Sequence, residues 1–145
     1  MNTEMRITVD DGSRRVPIMN TEGEEIGAFR FHPTDLGIVE RYNCLAETFD
    51  AITAPMDGLG DVEDLTDPKV VAAIVEAKQR MFTAVNDLFG SEDAAEAFFG
   101  KMNPFSPVNG EFYAAQVLAQ VGAFISAQFS TEIKALSKKA RKYLK

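Results

Sequence analysis

Ala28-Phe-Arg-Phe-His-Pro-Thr-Asp-Leu-Gly-Ile-Val-Glu-Arg-Tyr-Asn-Cys-Leu-Ala-Glu-Thr-Phe-Asp-Ala-Ile-Thr53 is the stretch whose reading decides the fold. Up to His32 apolar residues alternate, with Ile26, Ala28 and the Phe29–Phe31 pair in period two. Pro33 has no N–H to give a strand ladder and pushes His32 toward extended geometry. Thr34 or Asp35 can then accept from the free N–H groups of a helix start. From Ile38 the apolar positions run 38, 42, 45, 49 and 52, a spacing that places them on one helical face. The chain therefore changes from strand to helix across five residues.

Upstream, Met5, Ile7 and Val9 alternate before the tight-turn pair Asp11-Gly12, and Val16-Pro-Ile-Met19 forms a second short run. Pro17 suits an edge strand. Asn20-Thr-Glu-Gly23 is a further turn, so residues 1–32 read as a three-stranded antiparallel meander. Downstream, Pro55 ends the first helix near Thr53, and Met56–Thr66 reads as an exposed acidic loop. Asp67-Pro68 starts a second helix as cap and first helical residue, with Val71, Ile74, Val75, Met81, Phe82, Val85, Leu88 and Phe89 on one face. Gly90 ends it, Ser91 caps a short helix over Glu92–Phe99, and Gly100 closes that. Lys101–Gly110 holds two prolines and reads as a loop lying against the core through Met102, Phe105 and Val108. A final helix from about Glu111 carries Ala114, Leu118, Val121, Ile125, Phe129, Ile133, Leu136 and Ala140 on one face. It is too long for the domain to cover and should project, fray or meet a partner. The fold class is α+β. Residues 1–145 form a single domain, with the meander in 1–32, a helical part in 34–145 and a basic tail in 134–145.

A chain of 145 residues with 46% apolar and 26% charged residues fits an ordinary globular domain, able to bury about 68–70% of its unfolded surface. No apolar run is long enough to span a membrane, and no signal peptide is visible. The single cysteine, Cys44, excludes an internal disulfide and fits a reducing cytoplasm. The net charge of −7 hides an asymmetry. Six of the 15 Lys and Arg residues lie in 134–145 with no acid among them, which leaves nine against 22 acids, net −13, over 1–133. An acidic body repels phosphates and disfavours nucleic-acid binding. Lys138-Lys139-Ala-Arg-Lys142 in the tail is the one candidate for binding phosphates; it reads first as cations at the negative end of a helix, ahead of nucleic-acid binding, with docking onto an acidic partner or the acidic loop of a neighbouring copy as a third reading.

No catalytic constellation is visible. His32 stands alone at a strand end, without the companions that a catalytic or metal-binding histidine needs, and reads as capping or surface. Cys44 reads as a buried or half-buried structural residue. The acidic loop 57–64 lacks the ligand spacing of a calcium loop, and Gly58-Leu-Gly60 is too short for a phosphate cradle. No cofactor or metal is expected, and the chain reads as a non-enzyme. Its candidate partner-binding positions lie on the second and final helices and the loop between them: Met81, Val85, Met102, Phe105, Phe129, Ile133 and Leu136, with Lys138 and Lys139 in the tail. Soft, adaptable residues such as methionine suit a surface that receives apolar-striped helices. Taken singly, each of these apolar residues reads first as core packing.

Three pieces of the sequence together resemble a family of small tail assembly proteins from siphophages and prophages of Gram-positive bacteria. They are Phe29-Arg-Phe-His-Pro-Thr-Asp35 followed by a helix with Glu40-Arg41-Tyr42; Asp87-Leu-Phe-Gly90 leading to Phe98-Phe-Gly100; and Asn103-Pro-Phe-Ser-Pro-Val108 followed by Gly110 and an amphipathic last helix. The resemblance covers roughly residues 26–130 and rests on structural punctuation; the N-terminal hairpin and the 55–66 loop carry none of it. It implies a tail assembly chaperone that holds the helical tape-measure protein until tail-tube subunits polymerise around it. It implies further a protein that self-associates, acts in the host cytoplasm and is absent from the finished virion. In many relatives a ribosomal frameshift near the gene's end adds an extension, and Lys138-Lys139 is compatible with an A-rich slippery stretch. The alternatives are a structural virion protein, such as a head–tail connector or tail-completion protein, and a regulator touching nucleic acid through the basic tail.

Overall fold

The computed structural model describes residues 4–58 and 63–143, with side chains inside the last helix described through Leu136. Strands β1 (Arg14–Met19) and β2 (Glu25–Phe31) form an antiparallel hairpin. Helices α1 (Leu36–Thr53), α2 (Pro68–Phe89) and α3 (Ala94–Phe99) follow. A two-residue ladder of β3 (Pro107–Val108) and β4 (Glu111–Phe112) then leads into α4 (Tyr113–Tyr143). The fold is α+β, a small antiparallel β unit on a helical body with a long C-terminal helix.

The hairpin has two strands, not three. Residues 4–10 form no strand, and Met5, Ile7 and Val9 are exposed. Alternation states what a strand's two faces would be, and pairing requires a neighbour that the chain here does not supply. Within β2 only Phe29 and Phe31 turn inward; Ile26 is half exposed at the irregularity where Met19 pairs with Glu25 and Ile18 with Gly27. Pro17 sits opposite Ala28 in β1, a strand with one free edge. Asn20 closes the turn by accepting from the N–H groups of Glu22 and Glu24, each at 2.9 Å.

Local signals place the helices. Pro33 is fully buried, and the Asp35 carboxylate accepts from Gly37 N–H at 2.9 Å to start α1. Asp67 does the same for Lys69 N–H ahead of Pro68, and Gly90 ends α2 at φ +64°. The cap of α3 is Asp93 rather than Ser91. The Ser91 hydroxyl accepts from Asp93 N–H, and the Asn86 side chain accepts from Ala95 N–H at 2.8 Å. The 101–110 segment lies on the core through Phe105 and Pro104, which are buried, and through half-buried Val108; Met102, expected there too, is exposed. The carbonyls of Ser106 and Pro104 accept from Tyr113 and Ala114 N–H at 2.9 and 2.7 Å, satisfying donors that the first turn of α4 leaves free. Asn109 and Gly110, both at positive φ, make the turn between β3 and β4.

The core joins Phe31, Ile38, Leu45 and Ile52 to Met81, Val85 and Leu88 of α2, Phe98 and Phe99 of α3, and Leu118, Val121 and Ile125 of α4. The hairpin enters it through aromatic contacts: the Phe31 ring centroid lies 4.8 Å from Phe89 and 6.1 Å from Phe124. Phe29 lies 5.3 Å from Phe89 and 5.8 Å from Phe98. Behind them Gly27 passes so close to α3 that a Cβ there would run into the Ala97 carbonyl oxygen. We expect Gly27→Ala to lower unfolding free energy by about 1–3 kcal/mol, as overpacking does. Urea denaturation checks this; an unchanged midpoint would mean that the hairpin is not seated on α3.

Candidate functional site

The apolar stripe of α4 outruns the body it packs on. Ala114, Leu118, Val121 and Ile125 are buried, Phe129 is half-buried, and Ile133 and Leu136 stand 56% and 65% exposed. Residues 131–136 are exposed all round, so this part of α4 projects, and its 31 residues span about 46 Å. The stripe does not end where the core ends.

Beside it α1 presents Leu36, 78% exposed, and Val39. Between the two helices runs a groove of about 520 Å³ lined by Leu36, Val39 and Tyr42 from one side and Ile125, Phe129 and Ile133 from the other. The helices meet at Tyr42, Leu118 and Gly122. The Tyr42 hydroxyl donates to the Leu118 carbonyl at 2.9 Å, and a Cβ on Gly122 would lie 2.5 Å from that hydroxyl oxygen. Gly122 thus sets the floor of the groove. On the opposite flank of α1, the Arg41 guanidinium donates through Nε to the Leu88 carbonyl at 2.8 Å, fixing α1 against the end of α2.

The expected residues divide. Met81, Val85 and Phe105 are buried in the core, which corrects their reading as groove walls; of the face read on α2, Val71 and Val75 in its first turns are exposed, and packing covers the later part. Met102 is exposed on the loop after α3, away from the groove. Phe129 and Ile133 line the groove, and Leu136 continues their stripe. Lys138 and Lys139 lie outside the residues whose side chains are described, as does the tail beyond them. The first helix supplies the missing wall. Leu36 and Val39 lie off the 38–42–45–49–52 face, and only the extra width of the apolar stripe on α1 signalled them.

Cys44 is exposed, against its reading as buried or half-buried. His32 follows the end of β2 and contacts Asp11, Nε2 to Oδ2 at 2.9 Å, both side chains being about half exposed. The acidic loop is described at Asp57 and from Glu63 on, where the Asp64 carboxylate accepts from the Thr66 N–H and hydroxyl. Among the described residues no three His, Cys, Asp or Glu side chains gather as a metal site, and no polar or charged side chain is buried. No described helix is long and apolar enough to cross a membrane. The groove is lined by apolar side chains and the hydroxyls of Tyr42, Ser126 and Ser130, with no charged residue in its wall. Compared with protein-family models, with curated proteins and with solved structures, the chain finds no match.

Two outcomes follow from this geometry. Gly122→Ala should push α1 from α4, break the Tyr42–Leu118 hydrogen bond and cost about 1–3 kcal/mol, read by thermal unfolding. The Asp11 carboxyl is held below the usual range, first by its hydrogen bond to His32 and next by Ser13 N–H. A carboxyl lowered in the fold stabilises it above the unfolded value of about 3.9, and that contribution is lost as pH falls through the lowered folded value. Asp11→Asn should therefore flatten the stability–pH curve below about pH 4. An identical curve for both proteins would show the contact to be idle.

Proposed function

We propose that this chain is a tail assembly chaperone of the siphophage and prophage kind, a non-catalytic protein that holds the tape-measure protein while the tail forms. The observation that carries the reading is the α4 stripe, which leaves the core and runs on as exposed Ile133 and Leu136 beside the Leu36–Val39 wall of α1. A groove of this form accepts the apolar face of an amphipathic helix, through anchors three and four residues apart. A long, largely helical client offers that face repeatedly, which favours several copies per client. The resemblance at 29–42, 87–100 and 103–110 names the same role. Work in the host cytoplasm and absence from the mature virion belong to the proposal, with the tail-tube protein as a second partner.

The test is co-expression of the tagged chain with a tape-measure protein from the same genome. We expect co-purification, and an at least tenfold loss of recovery in Leu36→Asp/Ile133→Asp. Both substitutions are at exposed positions, so circular dichroism and thermal unfolding should stay unchanged. No recovery with both proteins soluble overturns the reading, and stoichiometric retention in purified particles makes the chain a structural virion protein instead.

A further inference from the structure

The N-terminal segment Glu4-Met-Arg-Ile-Thr-Val-Asp10 is a strand without a sheet. Met5, Ile7 and Val9 fall on one side in period two and are 92%, 94% and 75% exposed; Glu4, Arg6, Thr8 and Asp10 fall on the other. Elsewhere in the molecule is a sheet without its next strand. One edge of β1 is unpaired, and beside it opens a groove of about 450 Å³ between β1 and the first turns of α4, floored by Val16, Ile18, Phe31, Val117 and Phe124. Such an edge is a template for an added strand, with one main-chain donor missing at Pro17.

We propose that residues 4–10 of one copy of this chain add antiparallel to the free edge of β1 in a second copy, joining copies by strand donation. Charge and pattern select the register. With Asp10 opposite Arg15, Val9 falls opposite Val16 and Ile7 opposite Ile18, so both apolar pairs face the groove. Thr8 and Arg6 then stand outward, opposite Pro17 and Met19. On that outer face Arg15 and Arg30 are cross-strand partners, an unfavourable pairing of like charges. Arg15 is answered by Glu25 at 3.0 Å, whereas among the described residues the Arg30 guanidinium donates to the Ser13 hydroxyl at 3.2 Å and meets no carboxylate. The Asp10 carboxylate of the donor strand brings a negative charge to this pair. A slip by one residue would turn Ile7 and Val9 to water and remove the match.

The donor belongs to another copy because of how the chain enters β1. Asp11 contacts His32 and Gly12 abuts Thr34, both just past the end of β2. Asp10 and Arg14 share a hollow with Pro33 and Thr34 and with Gln128 and Glu132 of α4, and residues 4–10 pair with no strand of their own chain. Closure within one chain needs a turn at residues 11–14 that gives up the Asp11–His32 contact. Donation keeps that contact. The inference stands on the hairpin and does not depend on the client groove.

The test uses the full chain with Cys44→Ser. Sedimentation at tens of micromolar should give a dimer or larger species. Ile7→Asp/Val9→Asp, at positions already exposed, should give a monomer of unchanged circular dichroism. A monomeric parent, or a variant that stays associated, overturns the proposal. Register is read by mixing a chain carrying Ile7→Cys with one carrying Ile18→Cys under mild oxidation. A disulfide between chains is the expected product, since cross-strand Cα separations of about 4.5–5.5 Å suit one. A single chain carrying both substitutions should also link to its neighbours; closure of the bond within that chain would show intramolecular pairing and overturn donation.

Discussion

The packing of Phe31 against Phe89 and Phe124 makes one body of a hairpin and a set of helices. A two-stranded hairpin alone is marginal in water, and this one persists by pressing one face onto helices. Each aromatic pair adds about 0.5–1.5 kcal/mol beyond the area it buries, and Phe29, Phe31, Phe89 and Phe98 share several such pairs. The closeness has a steric condition, met by Gly27 where β2 crosses α3. Buried Pro33 then turns the chain inside the core, so the start of α1 is fixed by the same contacts that hold the hairpin. With α1 placed there and tied to α2 by Arg41, its outer flank has to look toward α4.

Much of this was legible, for a physical reason. Asp35, Asp67-Pro68, Gly90 and Gly100 act within a turn of chain, so the residues alone state where helices begin and end. The face 38–42–45–49–52 was legible for the same reason. Cys44 need not have been misread: six residues from Ile38 is about 240° around the helix at about 100° per residue, well off that face. What a periodic pattern leaves open is which neighbour covers a face. Met81 and Val85 of α2 and Ile133 and Leu136 of α4 carry the same apolar spacing, and only the arrangement of the other helices sorts core from surface. The three-strand reading of 1–32 failed in the same way, since alternation at 4–10 is real while the segment pairs with no strand of its own chain.

The α4 helix carries both open apolar features on separate flanks. Val117, Gln120 and Phe124 face the groove beside β1, and Gly122, Ser126 and Phe129 face the groove beside α1. At about 100° per residue these sets lie on opposite sides of the buried Leu118–Val121–Ile125 line. The grooves also differ in what they accept. The β1 edge offers main-chain groups, which any extended segment can meet, so specificity there has to come from register and charge. The α1–α4 groove offers side chains alone and selects a helical face.

Separate flanks and separate chemistries let both sites be filled at once. A strand held at β1 leaves Leu36, Val39, Phe129 and Ile133 uncovered, and a helix in their groove does not touch β1. Copies joined through the hairpin would therefore carry their helix grooves as a repeated set. Repetition raises the effective concentration of each groove once a neighbour is engaged, so under the proposed function weak single contacts would add to a firm hold on a long client. Release needs only that the individual contacts be weak. A groove with few apolar anchors and no buried charge meets that condition, and a deep pocket would not.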